Sequence, residues 1–209
     1  MAPVTITRLV LRGPIALAVT LAAIVFPGCA PDPATPSSAD IPRSLLREAR
    51  PIGTSADFQP PATGPVLRPC SHSLGPRQDV HVEVFAANRV VLVPAGIGTG
   101  PPQTKVNARV TWARCYGLLV TLGPTGLILV RGDSHLTLGS LFRSWGEPLS
   151  SRQIASFRAR PGNAVRAFVD GRPWNGSPGA VPLVEHAEIV VEVGPFVPPH
   201  SSYTFPAET

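Results

Sequence analysis

Lysine is nearly missing from this chain: Lys105 stands alone against 17 arginines. That usage follows a GC-rich genome rather than selection for phosphate contacts, so a nucleic-acid partner is not expected. Cysteine is scarce at three, with no C-x-x-C pair and no cysteine–histidine cluster. Neither a cysteine-based zinc site nor thioredoxin-type redox chemistry therefore has residues to work with. The five histidines, His72, His81, His135, His186 and His200, never fall at i, i+4 on a helix. No G-x-S-x-G elbow occurs. Ser134-His135 beside Asp133 has the residue types of a hydrolase triad, but neighbours in sequence rarely form the relay. Gly96-Ile97-Gly98-Thr99-Gly100 resembles a phosphate-cradling loop only until Pro101-Pro102, which stand where a helix would have to begin. Arg131-Gly132-Asp133 reads as a strand-end turn, and Asn175-Gly176-Ser177 is followed by Pro178. With no catalytic constellation in the sequence, neither enzymatic activity nor a cofactor is expected.

What the chain has in excess is proline and glycine, 26 and 19 of its 209 residues. Together they disfavour an all-helical fold and suit short strands joined by many turns. The 44% hydrophobic content suffices for one proper core. The net charge of +5 falls to +3 once Arg8 and Arg12 are set aside with a removable leader. So small a charge serves solubility and leaves room for weak attraction to anionic lipid or wall polymer.

Residues 1–28 have the parts of a secretory signal. Arg8 and Arg12 form the charged region, and Pro14–Phe26 an apolar stretch of 13 residues, too short to span a bilayer. The segment ends Phe26-Pro27-Gly28-Cys29, which resembles the lipobox of bacterial lipoproteins, with Phe26 in place of the usual leucine and an atypical Pro27. The resemblance implies that Cys29 becomes the mature N-terminus and carries diacylglycerol, two acyl chains giving a stable anchor. An ordinary signal peptide or an uncleaved anchor is the alternative. Residues 29–69, rich in Pro, Ala, Ser and Thr, then read as a disordered tether, within which Ser44–Arg50 is too short for a lasting helix.

A single globular domain is expected over 70–209, organised around Cys115–Leu149. There, Leu118–Leu122 and Leu127–Arg131 read as antiparallel strands about a Gly123–Gly126 turn. Thr137 is placed as the N-cap of a helix whose Leu138, Leu141, Phe142 and Trp145 share one face, with Gly146 in the left-handed position that closes it and Pro148 beyond. Before this core, Val80–Phe85 and Val90–Val93 form a hairpin about Ala87-Asn88. A loop follows from Pro94 to Pro102, and then a strand over Asn107–Trp112. After it, Val165–Val169 turns at Asp170-Gly171 into Arg172–Trp174. Ala187–Val193 makes a last strand, with Ile189, Val191 and Val193 inside and Glu188 and Glu192 in water, and the proline-broken tail is extended. The reading is a β-rich α+β domain. Its element order resembles a β-grasp, or ubiquitin-like, roll, with the first hairpin and strand as an N-terminal extension.

If Cys29 carries lipid, Cys70 and Cys115 remain as a pair in an oxidising compartment, where a disulfide between them would pin the start of the domain to its central hairpin. Two buried free thiols are the alternative.

From about Arg77 to Pro206 the chain also resembles a family of uncharacterised exported bacterial proteins. Their pattern runs H-x-H-A-H-L, V-P-A-G-I-G, C-L-Y-W-L-H-T-H-D-x-S-G-I-I-H-I-E, T-L-G-x-F-F-x-x-W-G-x-P-L, N-G-K and P-L-x-x-H-E-x-I. This chain keeps Val93–Gly98, Cys115, Gly126, Thr137-Leu138-Gly139, Phe142, Trp145-Gly146, Pro148-Leu149, Pro182-Leu183 and His186. The resemblance implies a metal site on the family's histidines, which stand two apart on facing strands. Here those positions hold Arg77, Asp79, Val120, Leu122 and Leu129, and only His81 of the first motif survives. The expectation is no metal site, with His81 and His186, then His135, as the weak candidates. Val120, Leu122 and Leu129 should leave an apolar pocket or patch in its place.

The functional expectation is an exported lipoprotein held on the outer side of the cell membrane. It acts as a non-enzymatic binding or interaction module for an envelope protein or a lipid ligand. A copper- or zinc-handling envelope protein is the alternative.

Overall fold

Strand β1, Gln78–Ala86, lies in the middle of the fold, not on an extension at its edge. The computed structural model describes residues 49–132 and 134–206, within one compact unit, Arg47–Thr209. The leader, Cys29 and the tether as far as residue 48 lie outside the described residues. No helix among those described is long and apolar enough to cross a membrane.

The chain doubles back from β1 through Ala87-Asn88, both at positive φ, into β2 (Arg89–Val90). Two positive φ values in a two-residue loop match the right-handed twist of the flanking strands. β3 (Thr99–Val106) and β4 (Arg109–Tyr116) then form a separate two-stranded sheet. Here the expected boundaries shift. Pro94–Pro102 is a loop only as far as Gly98, and Asn107-Ala108, expected at the start of a strand, form the two-residue turn at positive φ. Pro101 and Pro102 enter β3 at an interruption of register between Gly100 and Gln103, where a residue without an N–H does no harm.

β5 (Leu119–Val120) and β6 (Leu127–Val130) pair antiparallel as expected. Helix α1, Leu138–Trp145, follows. Thr137 N–H donates to Ser140 Oγ (3.3 Å), and Gly146 closes the helix at φ 95°. A short meander, β7 (Leu149–Ser150), β8 (Gln153–Ile154) and β9 (Phe157–Arg158), precedes β10 (Arg166–Val169), β11 (Arg172–Pro173) and β12 (Glu188–Val193). The main sheet runs β11-β10-β12-β1-β6-β5, with β2 on the end of β1. β1 and β12 are parallel and the other main-sheet pairs antiparallel, a strand-rich mixed sheet with one α-helix among the described residues.

Residues opposite one another in register share a face. On the inner face, Val80, Val82, Val84, Ile128, Val130, Ile189, Val191 and Val193 meet Leu138, Leu141, Phe142 and Trp145 of α1 in the main core. The outer face carries Asp79, His81, Glu83 and Phe85 from β1, Glu188, Val190 and Glu192 from β12, and Arg166 and Phe168 from β10.

Two further expectations are corrected. Residues 51–69 do not behave as tether. Thr63 and Gly64 N–H groups donate to the Trp145 carbonyl (2.9 and 3.0 Å), and Trp145 Nε1–H donates to Pro60 O. The last turn of α1 has carbonyls without intrahelical partners, and this segment supplies the donors for that of Trp145, while Phe58, Ala62 and Leu67 pack on the core. Glu188 and Glu192 are not in water either, being 1% and 0% exposed. Their strand lies between β1 and β10, and the chain after Gly194 folds back over the face that alternation assigned to solvent.

Candidate functional site

The returning C-terminal segment, 195–206, has no regular secondary structure and acts as a strap over the outer face. Val197 is buried against Phe85, Phe168 and Val190, and its N–H donates to Glu192 Oε2 (2.8 Å). The other Glu192 oxygen accepts from Arg166 Nε (2.6 Å), whose guanidinium also reaches Gly194 O and lies over the Phe196 ring. Farther along, His200 Nδ1 and Glu83 Oε2 share a hydrogen bond of 2.8 Å. Tyr203 stacks flat on the His81 ring, centroids 3.7 Å apart, and Phe205 meets both Tyr203 and His186.

Beneath the strap lies a polar cluster. His81 and Glu188 stand opposite each other on β1 and β12, with Nδ1 and Oε2 2.6 Å apart. His81 Nε2 is 3.0 Å from the carbonyl oxygen of Thr125, which can only accept, so Nε2 carries a hydrogen. One further proton must then lie between Nδ1 and the carboxyl. The other oxygen, Glu188 Oε1, is buried with no hydrogen-bond partner among the described residues. Burial pushes the Glu188 carboxyl above its usual range, against the downward pull of its hydrogen bond with His81 and of that ring's charge. Glu83, two residues along β1, completes a group whose ligand-type atoms all lie within 4.8 Å of one another. A cleft of about 230 Å³ reaches His81 and Glu83 from the side of Pro124–Gly126 and Val90–Val93.

His81 is therefore buried, at 6% exposure. Its weak companion candidates do not join it: His186 is exposed just before β12 at φ 59°, and His135 is exposed ahead of α1. Sequence reasoning missed Glu83 and Glu188. The signal was present in the alternation of β1, which sets His81 and Glu83 on one face, but the pairing partner of β1 could not be read.

None of the aliphatic residues at the family's histidine positions is fully exposed, Leu129 being half-buried on β6. Val120 is fully buried, and Leu122 packs with Ala95, Val110, Ala113 and Tyr116 under the β3–β4 hairpin. That hairpin is a second feature of the surface. Val106 and Trp112 are 53% and 51% exposed on it, beside exposed Lys105, Arg109 and Arg114. A disulfide, Cys70–Cys115, fastens its foot. Between Glu83 and Asp133 the chain has five basic residues and no acidic one.

No family model matches this chain, and neither a curated protein nor a solved structure matches it.

Proposed function

We propose that this chain is an exported, lipid-anchored envelope protein whose domain is a non-enzymatic binding module, with the β3–β4 arm contacting anionic lipid headgroups. A β-grasp roll carries the arm. Support for that roll comes from the order β6-β1-β12-β10-β11, with β1 and β12 parallel and α1 between the first and last pairs of strands. In this reading β1 and β6 are the first two strands, and the arm is an insertion between them.

The observation behind the functional reading is the arm's combination of an exposed tryptophan and valine with three cations and no acid. Tryptophan favours the membrane interface, where its ring sits at the headgroup level. Each cation near an anionic surface contributes roughly 1 kcal/mol, so Lys105, Arg109 and Arg114 together give about 3 kcal/mol. That is too little to anchor a protein. It is enough to orient a domain already tethered through Cys29.

The test reconstitutes the full chain in vesicles containing brominated lipid and follows tryptophan fluorescence. Quenching should be stronger in phosphatidylglycerol than in phosphatidylcholine, weaken with salt, and drop in Trp112→Ala and in Arg109→Ala/Arg114→Ala. Equal quenching in both lipids, or no change in the Trp112 variant, would refute headgroup contact by the arm. Retention on purified wall polymer without quenching would assign the arm to that partner instead.

A further inference from the structure

We infer that His81 Nδ1, Glu83 and Glu188 form a binding site for a divalent transition-metal ion of the zinc class. The inference is independent of the membrane reading of the arm.

Three observations converge on it. The ligand atoms of the three side chains already lie within 4.8 Å of one another on one face of the sheet. Tetrahedral zinc with bonds of about 2.0–2.1 Å needs ligand atoms about 3.4 Å apart, so small side-chain rotations suffice. His81 is oriented as a metal-bound imidazole is, its far N–H donated to the Thr125 carbonyl and its near nitrogen aimed at Glu188. A backbone carbonyl in that role fixes ring and tautomer and leaves Nδ1 with its lone pair forward. Finally, Glu188 is 1% exposed and its Oε1 has no hydrogen-bond partner among the described residues. A buried carboxylate oxygen left that way is costly, and a cation is the partner that satisfies it.

On binding, the ion takes the place of the proton shared by Nδ1 and Glu188, and that proton leaves to solvent. One nitrogen and two carboxylates make a three-ligand set with a fourth position open to water or to His200, which already contacts Glu83. The Glu83–His200 hydrogen bond is exchanged or shared at that moment, so the strap at His200 and Tyr203 should feel the ion.

The experiment titrates the full chain, in detergent and free of chelator, with Zn²⁺ by calorimetry, and records the imidazole nitrogens by NMR. One zinc per chain should bind at or below micromolar Kd, with the largest shift at His81 Nδ1. Losing a ligand should exceed the roughly 10- to 100-fold that an outer-shell partner contributes, so Glu83→Gln should weaken binding by more than about 100-fold. Glu83 is the residue to change because it is half-buried, and cooperative urea unfolding of the variant checks that its fold is intact. No binding tighter than micromolar would overturn the site. So would zinc that shifts His72, His135, His186 or His200 while His81 stays still, or a Glu83→Gln chain that binds as the wild type does.

Discussion

His81 and Glu188 are 107 residues apart in sequence, yet they face each other across the parallel pair β1–β12 with 2.6 Å between Nδ1 and Oε2. Both side chains are almost wholly buried, so neither can turn to water if the other is lost. Breaking a buried pair by removing one member leaves an uncompensated polar group and typically costs about 3–5 kcal/mol. His81→Leu should fall in that range in the metal-free protein, read from urea unfolding. Replacing both, His81→Leu with Glu188→Leu, removes the orphan as well and should recover most of the loss. If the double variant were as unstable as the single one, the pair would be a packing feature and not an electrostatic one.

The raised proton affinity of Glu188 gives a pH dependence with a definite sign. Burial is the cause, with His81 pulling the other way and Glu83 adding to the rise. In the folded chain this carboxyl holds its proton to higher pH than in the unfolded chain, where the value is about 4.3. Its contribution to folding is therefore complete below that value and is lost as pH climbs through the raised one. Glu188→Gln keeps the shape and cannot ionise. Over that climb, the urea midpoint of the metal-free wild type should decline relative to that of the variant. Parallel profiles for the two proteins would show that Glu188 does not titrate in the fold.

Much of the architecture was legible because it is written locally. Helix α1 has its N-cap, its apolar face and its Gly146 stop within ten residues, and the β5–β6 and β10–β11 hairpins carry their own turn chemistry. What could not be read depends on distant pairing. Alternation in Glu188–Val193 shows two faces, but only the partners β1 and β10 and the returning strap decide that both are buried. Proline content likewise suggests disorder for residues 51–69, until the unsatisfied carbonyl at the end of α1 gives Thr63 and Gly64 a place to bind. The histidine–carboxylate cluster was hidden for the same reason, since two of its members are two residues apart on β1 and the third arrives on β12.

The glycines of Val93–Gly98 have a structural meaning that a stability comparison can expose. Gly98 and Gly75 both adopt positive φ, 68° and 66°. A Cβ on Gly98 would lie 1.9 Å from the Leu119 carbonyl oxygen, while one on Gly75 meets nothing within 4 Å. The two alanine variants thus share the left-handed strain of about 1–2 kcal/mol, and only Gly98→Ala adds a backbone collision at the foot of β5. Gly75→Ala should unfold with a loss near that strain, and Gly98→Ala should lose clearly more or fail to fold. Equal losses would mean that the loop can shift away from Leu119 freely.

The disulfide offers a test that separates the arm from the core. Cys70 and Cys115 are 45 residues apart, and in the loop-entropy model a closure of that length stabilises the folded chain by about 4 kcal/mol. The loop so closed includes β1 and the whole arm, and Cys115 is the penultimate residue of β4. Cys70→Ser/Cys115→Ser should lower the urea midpoint of the whole domain, because β1 is shared with the main core. It should also quicken amide exchange in β3 and β4 more than in β10–β12, since the arm is then held by the small cluster of Ala95, Val110 and Ala113 and by a few backbone hydrogen bonds to Ser71 and Leu122. If exchange quickened uniformly instead, the arm would be part of one cooperative unit with the main sheet, and the hairpin would be a rigid extension of the core.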